Sequence, residues 1–311
     1  MSGIRLISES TYVFLNLTDN TLDDVDESLR LDKQLKLDPH SARYGLGALE
    51  KLPLGILHPT LLALDIRSMT EFHPRARPAA LRGSLNHETA RDFSCQALYE
   101  TLSTAECDGC GDFGGYLYLL ACRRVCFLCL TEKTDYLPLS RKDVIRQFGL
   151  DPTHLARLPH MKSFPGQYSP RWIKCRRRET LFDHGSAREA GIAVHGTAEA
   201  MERYALEMIS KQLEAYNSRL SVRQTSQRPG RPPRSADAFD GHCSNPKRFV
   251  GIIRAPFFSR NTLSPEWGFH FLACKAHHYR RPLHWRRKYT IESCRDHTRE
   301  FGEVVGGKHV R

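Results

Sequence analysis

Residues Cys107 to Cys129 read CDGCGDFGGYLYLLACRRVCFLC and hold five of the ten cysteines in the 311-residue chain. Two Cys-x2-Cys pairs, Cys107/Cys110 and Cys126/Cys129, stand fifteen residues apart. A two-residue gap lets the backbone turn tightly enough for both sulfurs to face one centre. Two such pairs supply the four thiolates of a tetrahedral zinc, with bonds of about 2.3 Å. Gly109 and Gly111 give the first pair the freedom such a turn requires. Between the pairs, YLYLL reads as a strand and Arg123 and Arg124 as a polar turn, so a hairpin would return the second pair against the first, as in a zinc ribbon. Four thiolates leave no open coordination position, which predicts a structural metal. Cys122 is the surplus thiol. It is expected on the strand as a buried small hydrophobe, although its x3 spacing to Cys126 leaves competition for the metal as an alternative.

The disulfide reading of these cysteines depends on compartment. The N-terminal MSGIRLISESTYVFLNLTDN lacks the apolar core and cleavage site of a secretory signal. No apolar run approaches the roughly 18 residues of a membrane helix. The expected location is therefore cytoplasmic or nuclear, without a membrane partner, where closely spaced cysteines bind metal more often than they pair. A looser set, Cys274-x3-His278 and Cys294-x2-His297, with His277 alongside, makes Cys274, His278, Cys294 and His297 a candidate second metal site. No phosphate-binding glycine loop, nucleophile elbow or metalloprotease helix occurs, so nothing supports an enzyme.

Charge divides the chain. Residues 171–311 carry 27 basic against 14 acidic residues, a balance of +13 within a total of +11. In HHYRRPLHWRRKY, aromatics interleave with Arg and Lys as phosphate contact and base stacking require, which keeps nucleic acid open as a partner.

The pattern along the chain predicts an α+β fold, mostly helical, with a small zinc-bound hairpin and a short β-containing C-terminal module. Residues 1–50, with their acidic DDVDE, read as a poorly ordered lead-in. Residues 51–94 read as short helices, and 95–220 as a knuckle and helical domain. Within it Asp151 is an N-cap ahead of Pro152, and the stripe Ala198, Met201, Ala205, Met208, Ile209, Leu213 and Tyr216 marks the core face of a long helix. Residues 221–247, rich in Pro, Ser, Gly and Arg, read as a flexible linker, and 248–311 as a basic Cys/His module.

The cysteine run, together with DYLPLSRKDVIRQFGL, LPHMKSFPGQY and AREAGIAVHGTAEAME, closely resembles a group of fungal F-box proteins over roughly residues 50–311. The resemblance implies a short helical F-box that docks on the adaptor of a cullin–RING ubiquitin ligase, while the remainder recognises a substrate protein. Carried onto this chain, the adaptor contacts are Leu52, Pro53, Ile56, Leu57, Leu61, Leu62 and Leu64. Gly55 stands where an F-box usually has Glu, and Phe271 and Phe301 occupy positions that are cysteines in related chains. The leading expectation is thus a substrate-recognition subunit of a ubiquitin ligase. The alternative is a zinc-stabilised nucleic-acid-binding protein acting through its basic C-terminal half.

Overall fold

Short apolar runs separated by turn residues give many short elements. The computed structural model describes residues 13–14, 17–25, 93–222, 231–234, 237, 239–258, 265–276, 283–305 and 308–310. The adaptor contacts expected between Leu52 and Leu64 lie outside the described residues, as do His277, His278 and residues 223–230 of the expected linker.

In chain order, β1 (Val13–Phe14), α1 (Leu22–Val25) and α2 (Cys95–Leu102) precede the hairpin of β2 (Tyr116–Tyr118) and β3 (Arg123–Val125). After α3 (Phe127–Glu132) come β4 (Leu139–Ser140), α4 (Arg141–Phe148), α5 (Pro152–Leu155) and β5 (His160–Lys162). Next are β6 (Gly166–Tyr168), β7 (Ile173–Cys175), β8 (Thr180–Phe182), α6 (His184–His195) and the 25-residue α7 (Ala198–Val222). The C-terminal part holds α8 (Lys247–Val250), β9 (Ile252–Arg254), β10 (Phe257–Phe258), β11 (Pro265–Glu266) and β12 (Phe269–Phe271). It closes with β13 (Lys288–Tyr289), α9 (Ile291–Phe301), β14 (Glu303–Val305) and β15 (Lys308–Val310). All described strand pairs are antiparallel, in sheets of two or three strands, so the fold is α+β.

Local chemistry sets the helix ends. The Asp151 carboxylate accepts from the N–H groups of Thr153 and His154 at 2.8 and 3.0 Å, with Pro152 in the first helical position of α5. Ser140 opens α4, and Gly149, at φ +64°, closes it.

Three apolar clusters follow. The largest surrounds the hairpin and joins Tyr116 to Leu120 and Val125 to Leu130 with Leu22, Phe249, Ile252 and Ile253. The second gathers Val144, Phe148, Leu155, Phe182, Ala187 and Met201, and the third Phe269, Phe271, Ala273, Tyr289 and Cys294.

Three expectations change. The predicted core stripe of α7 is buried only at Met201 and Ala205, whereas Met208 and Leu213 are exposed, because the helix outruns the body it packs on. The acidic lead-in is not loose at residues 17–25. Leu22 is fully buried, and the fully buried Asp19 accepts from Arg286 Nε at 2.9 Å and from the Tyr116 hydroxyl. Asp23 and Asp24 take Arg254 at 2.8 and 2.7 Å. The two acids that open DDVDE are thus paired with one arginine some 230 residues away in sequence.

The linker boundary also fails at its far end. Cys243 is fully buried, and Asp240 binds Arg248 at 2.9 Å. β9 pairs with β2 so that Leu117 faces Ile253. The knuckle region and the start of the expected C-terminal module are therefore one sheet, in the order β3-β2-β9. A strand three residues long carries too little pattern to announce such a distant partner.

Removing the Asp19 carboxylate strands Arg286 in the interior. Asp19→Ala is expected to cost about 3–5 kcal/mol in urea unfolding; a change below about 0.5 kcal/mol, typical of a surface site, would mean that residues 17–25 are not docked.

Candidate metal centre

The first knuckle is a turn held by its own backbone. The Cys107 carbonyl accepts from the N–H groups of Cys110 and Gly111 at 3.3 and 2.9 Å, and the Gly109 N–H donates to Cys107 Sγ at 3.3 Å. Gly111 adopts φ +79°, a region that favours glycine. A Cβ on Gly109 would lie 2.9 Å from Cys129 Sγ, so the turn approaches the second pair too closely for alanine.

The second knuckle is a helix start. Cys126 is the N-cap of α3, and its sulfur accepts from the Cys129 N–H at 3.4 Å. The hairpin brings the two together. Asp108 N–H donates to the Arg124 carbonyl at 2.9 Å, and Cys110 Sγ stands 3.6 Å from Cys126 Sγ. All four sulfurs lie within 4.8 Å of one another, with Cys107, Cys126 and Cys129 buried and Cys110 exposed. A tetrahedron with bonds of about 2.3 Å has sulfur–sulfur edges of about 3.8 Å, so the cage has the size of one thiolate-bound metal.

Electrostatics point the same way. Hydrogen bonding from Cys126, aided by backbone N–H groups, draws Cys107 down to about 5 against the cost of burial. Cys126 is pushed up by donating to Cys107 and by burial. Burial and the charge on Cys107 push Cys129 up to about 12. One thiolate is stable alone; four require a cation among them.

Two arginines brace the cage. Arg124, expected in a polar turn, lies in β3 and is buried, because its donors serve carbonyls from separate segments. It reaches Thr101 at 3.0 Å, Gly114 at 2.5 Å, Ala255 at 3.3 Å and Pro256 at 2.6 Å. Burial lowers it to about 10. Arg248, almost fully buried, closes the other end of α3 by donating to the carbonyls of Leu130 at 2.5 Å and Lys133 at 2.6 Å. Neither role could be read from spacing, since the acceptors of both arginines lie on other elements. Lys133 also donates to the Gly109 carbonyl, tying α3 to the first knuckle.

The turn occupies residues 119–122, so Cys122 is not on the strand but at the last turn position, with φ +49°. It is buried against Thr101, and burial pushes its thiol up to about 11. It is not part of the four-sulfur cage.

Of the second candidate site, Cys294 and His297 lie buried on α9, while His278 and the Cys274 side chain are outside the described residues. His309 on β15 packs beside His297. Its Nδ1 is hydrogen-bonded with the Gly302 carbonyl at 2.8 Å, and its ring lies 5.0 Å from that of His297. Among the described residues, only the Cys107, Cys110, Cys126 and Cys129 set brings three or more ligand atoms together.

The basic aromatic run is largely internal where described. Arg286 and Lys288 are buried, and Arg287 pairs with Asp112 at 3.1 Å and stacks over Tyr289. Burial lowers Lys288 to about 8. These three cations are engaged within the fold, and residues 277–282 of the run lie outside the described residues.

Comparison with protein-family models, with curated proteins and with solved structures finds no match for the chain.

Cys107→Ser and Cys126→Ser are each expected to abolish stoichiometric metal in the purified protein, and Cys122→Ser to retain it, as read by elemental analysis. Gly109→Ala should weaken retention in a chelator competition, because the added methyl crowds Cys129 Sγ. Equal metal content in the Cys122 and Cys126 variants would contradict the assignment.

Proposed function

We propose that the four-cysteine cage holds one structural zinc and that the chain is a non-enzymatic, F-box-type substrate-recognition subunit of a cullin–RING ubiquitin ligase. The observation that carries the structural role of the metal is the closed donor set: four sulfurs within 4.8 Å of one another saturate a tetrahedral ion and leave no position for a substrate on it. All-sulfur tetrahedral coordination suits zinc or iron. The expected reducing compartment and a purely structural role favour zinc, whose charge state does not change.

The ligase reading is supported by the resemblance of the motifs within residues 50–311 to fungal F-box proteins. In this reading the adaptor meets Leu52, Pro53, Ile56, Leu57, Leu61, Leu62 and Leu64, and the zinc-braced body presents the surface for a target protein. Zinc would hold the Cys107 turn against the start of α3 and keep the β3-β2-β9 sheet in register; its contribution is to folding.

The test of the adaptor link is a pull-down of the full chain with the ligase adaptor. Wild-type protein should be retained, and Ile56→Asp with Leu57→Asp should lose retention while keeping its zinc. No retention of the wild type, or equal retention of the double variant, would refute adaptor docking and leave the zinc assignment standing.

A further inference from the structure

Of the basic run expected to meet nucleic acid, the described Arg286 and Lys288 are buried and Arg287 is paired with Asp112; a different set of cations is exposed. A groove of about 360 Å³ lies between the chain leaving β7 and the turn into α8. Ser163, Lys174, Arg176, Arg177, Asn245 and Lys247 line it. Lys174, Arg176 and Arg177 are exposed, and no described carboxylate lies within ion-pair distance of any of them. Lys247 is engaged by Asp143 at 3.2 Å and approaches Glu179 at 3.8 Å. Glu179 is the one acidic residue on the groove wall.

The β6–β7 turn adds an aromatic group. Trp172, next to β7, is 59% exposed and adopts φ +55°, an uncommon conformation for a bulky side chain. The turn is firmly anchored. The Trp172 N–H donates to the Ser169 carbonyl at 2.9 Å, and fully buried Ser169 donates from its hydroxyl to the Cys243 carbonyl at 2.6 Å. Asn20 Nδ2 also donates to the Ser169 carbonyl, at 2.9 Å. An exposed indole in a sparsely populated backbone conformation, fixed from both sides, is a preorganised platform.

Trp172 is the last residue of the turn that precedes β7, two positions before the exposed Lys174. Gln167, also exposed, stands opposite Lys174. Arg176 and Arg177 continue the positive charge beyond the strand.

We infer that this surface binds single-stranded nucleic acid, with Lys174, Arg176 and Arg177 contacting successive phosphates in the groove and Trp172 stacking on a base. Cations tracking a backbone beside an aromatic platform are the elements of sequence-tolerant single-strand binding. A phosphopeptide would need one pocket converging on one phosphate, whereas these cations follow one another along β7 and the segment that leaves it, just after an exposed indole. The inference does not depend on adaptor docking.

The experiment is a titration of the full, zinc-loaded chain with a fluorescent single-stranded oligonucleotide of about twelve nucleotides, followed by anisotropy across a salt series. The wild type should bind at low salt. Replacing Lys174, Arg176 and Arg177 by Ala should lower affinity at least tenfold and flatten the log–log salt slope by about 2, at about 0.7 per phosphate contact. Trp172→Ala should weaken binding by about tenfold with the slope unchanged, the signature of lost stacking. Lys211→Ala on exposed α7 is the charge control and should bind as wild type. Absence of binding at low salt, an unchanged triple variant, or capture of a phosphoserine peptide in preference to the oligonucleotide would overturn the inference. So would equal weakening by the Lys211 variant.

Discussion

Four sulfurs packed within 4.8 Å of one another cannot all be charged unless a cation sits among them. That constraint organises the centre of this protein. Cys107 and Cys110 belong to a turn whose glycines bring it against Cys129, while Cys126 begins the helix that carries Cys129. A tight turn and a six-residue helix are weak structures alone. A shared ion would make them one unit and hold the hairpin between them in register.

The second constraint is the buried arginines. Arg124 collects the carbonyls of Thr101, Gly114, Ala255 and Pro256, Arg248 closes α3, and Arg286 takes the fully buried Asp19. Each reaches at least one partner more than a hundred residues away in sequence. Removing one partner of such a contact leaves a charge or a set of carbonyls desolvated, a far larger penalty than the net value of the contact when made. The body built from short strands is therefore held by fanned guanidinium groups as well as by its three apolar clusters.

Legibility in the sequence followed the range of the interaction. The Cys-x2-Cys pairs and the Asp151–Pro152 cap are local, and both appear where spacing and propensity put them. The pairing of β9 with β2 and the docking of Asp19, Asp23 and Asp24 are long-range and left no local trace. Composition misled in the same way at both ends. An acidic segment was expected to be poorly ordered and a basic run kept a polyanion partner open, yet Asp23 and Asp24 pair with Arg254 and Asp19 pairs with Arg286 inside the fold. Cys122 was legible as a buried thiol but not as a turn residue with positive φ, a conformation uncommon outside glycine.

The central claim is that the metal sees four sulfurs and nothing else. X-ray absorption at the zinc edge of the purified chain tests it directly. The account predicts a single shell of four sulfur scatterers at about 2.3 Å. A shell containing nitrogen or oxygen, or fewer than four sulfurs, would contradict it.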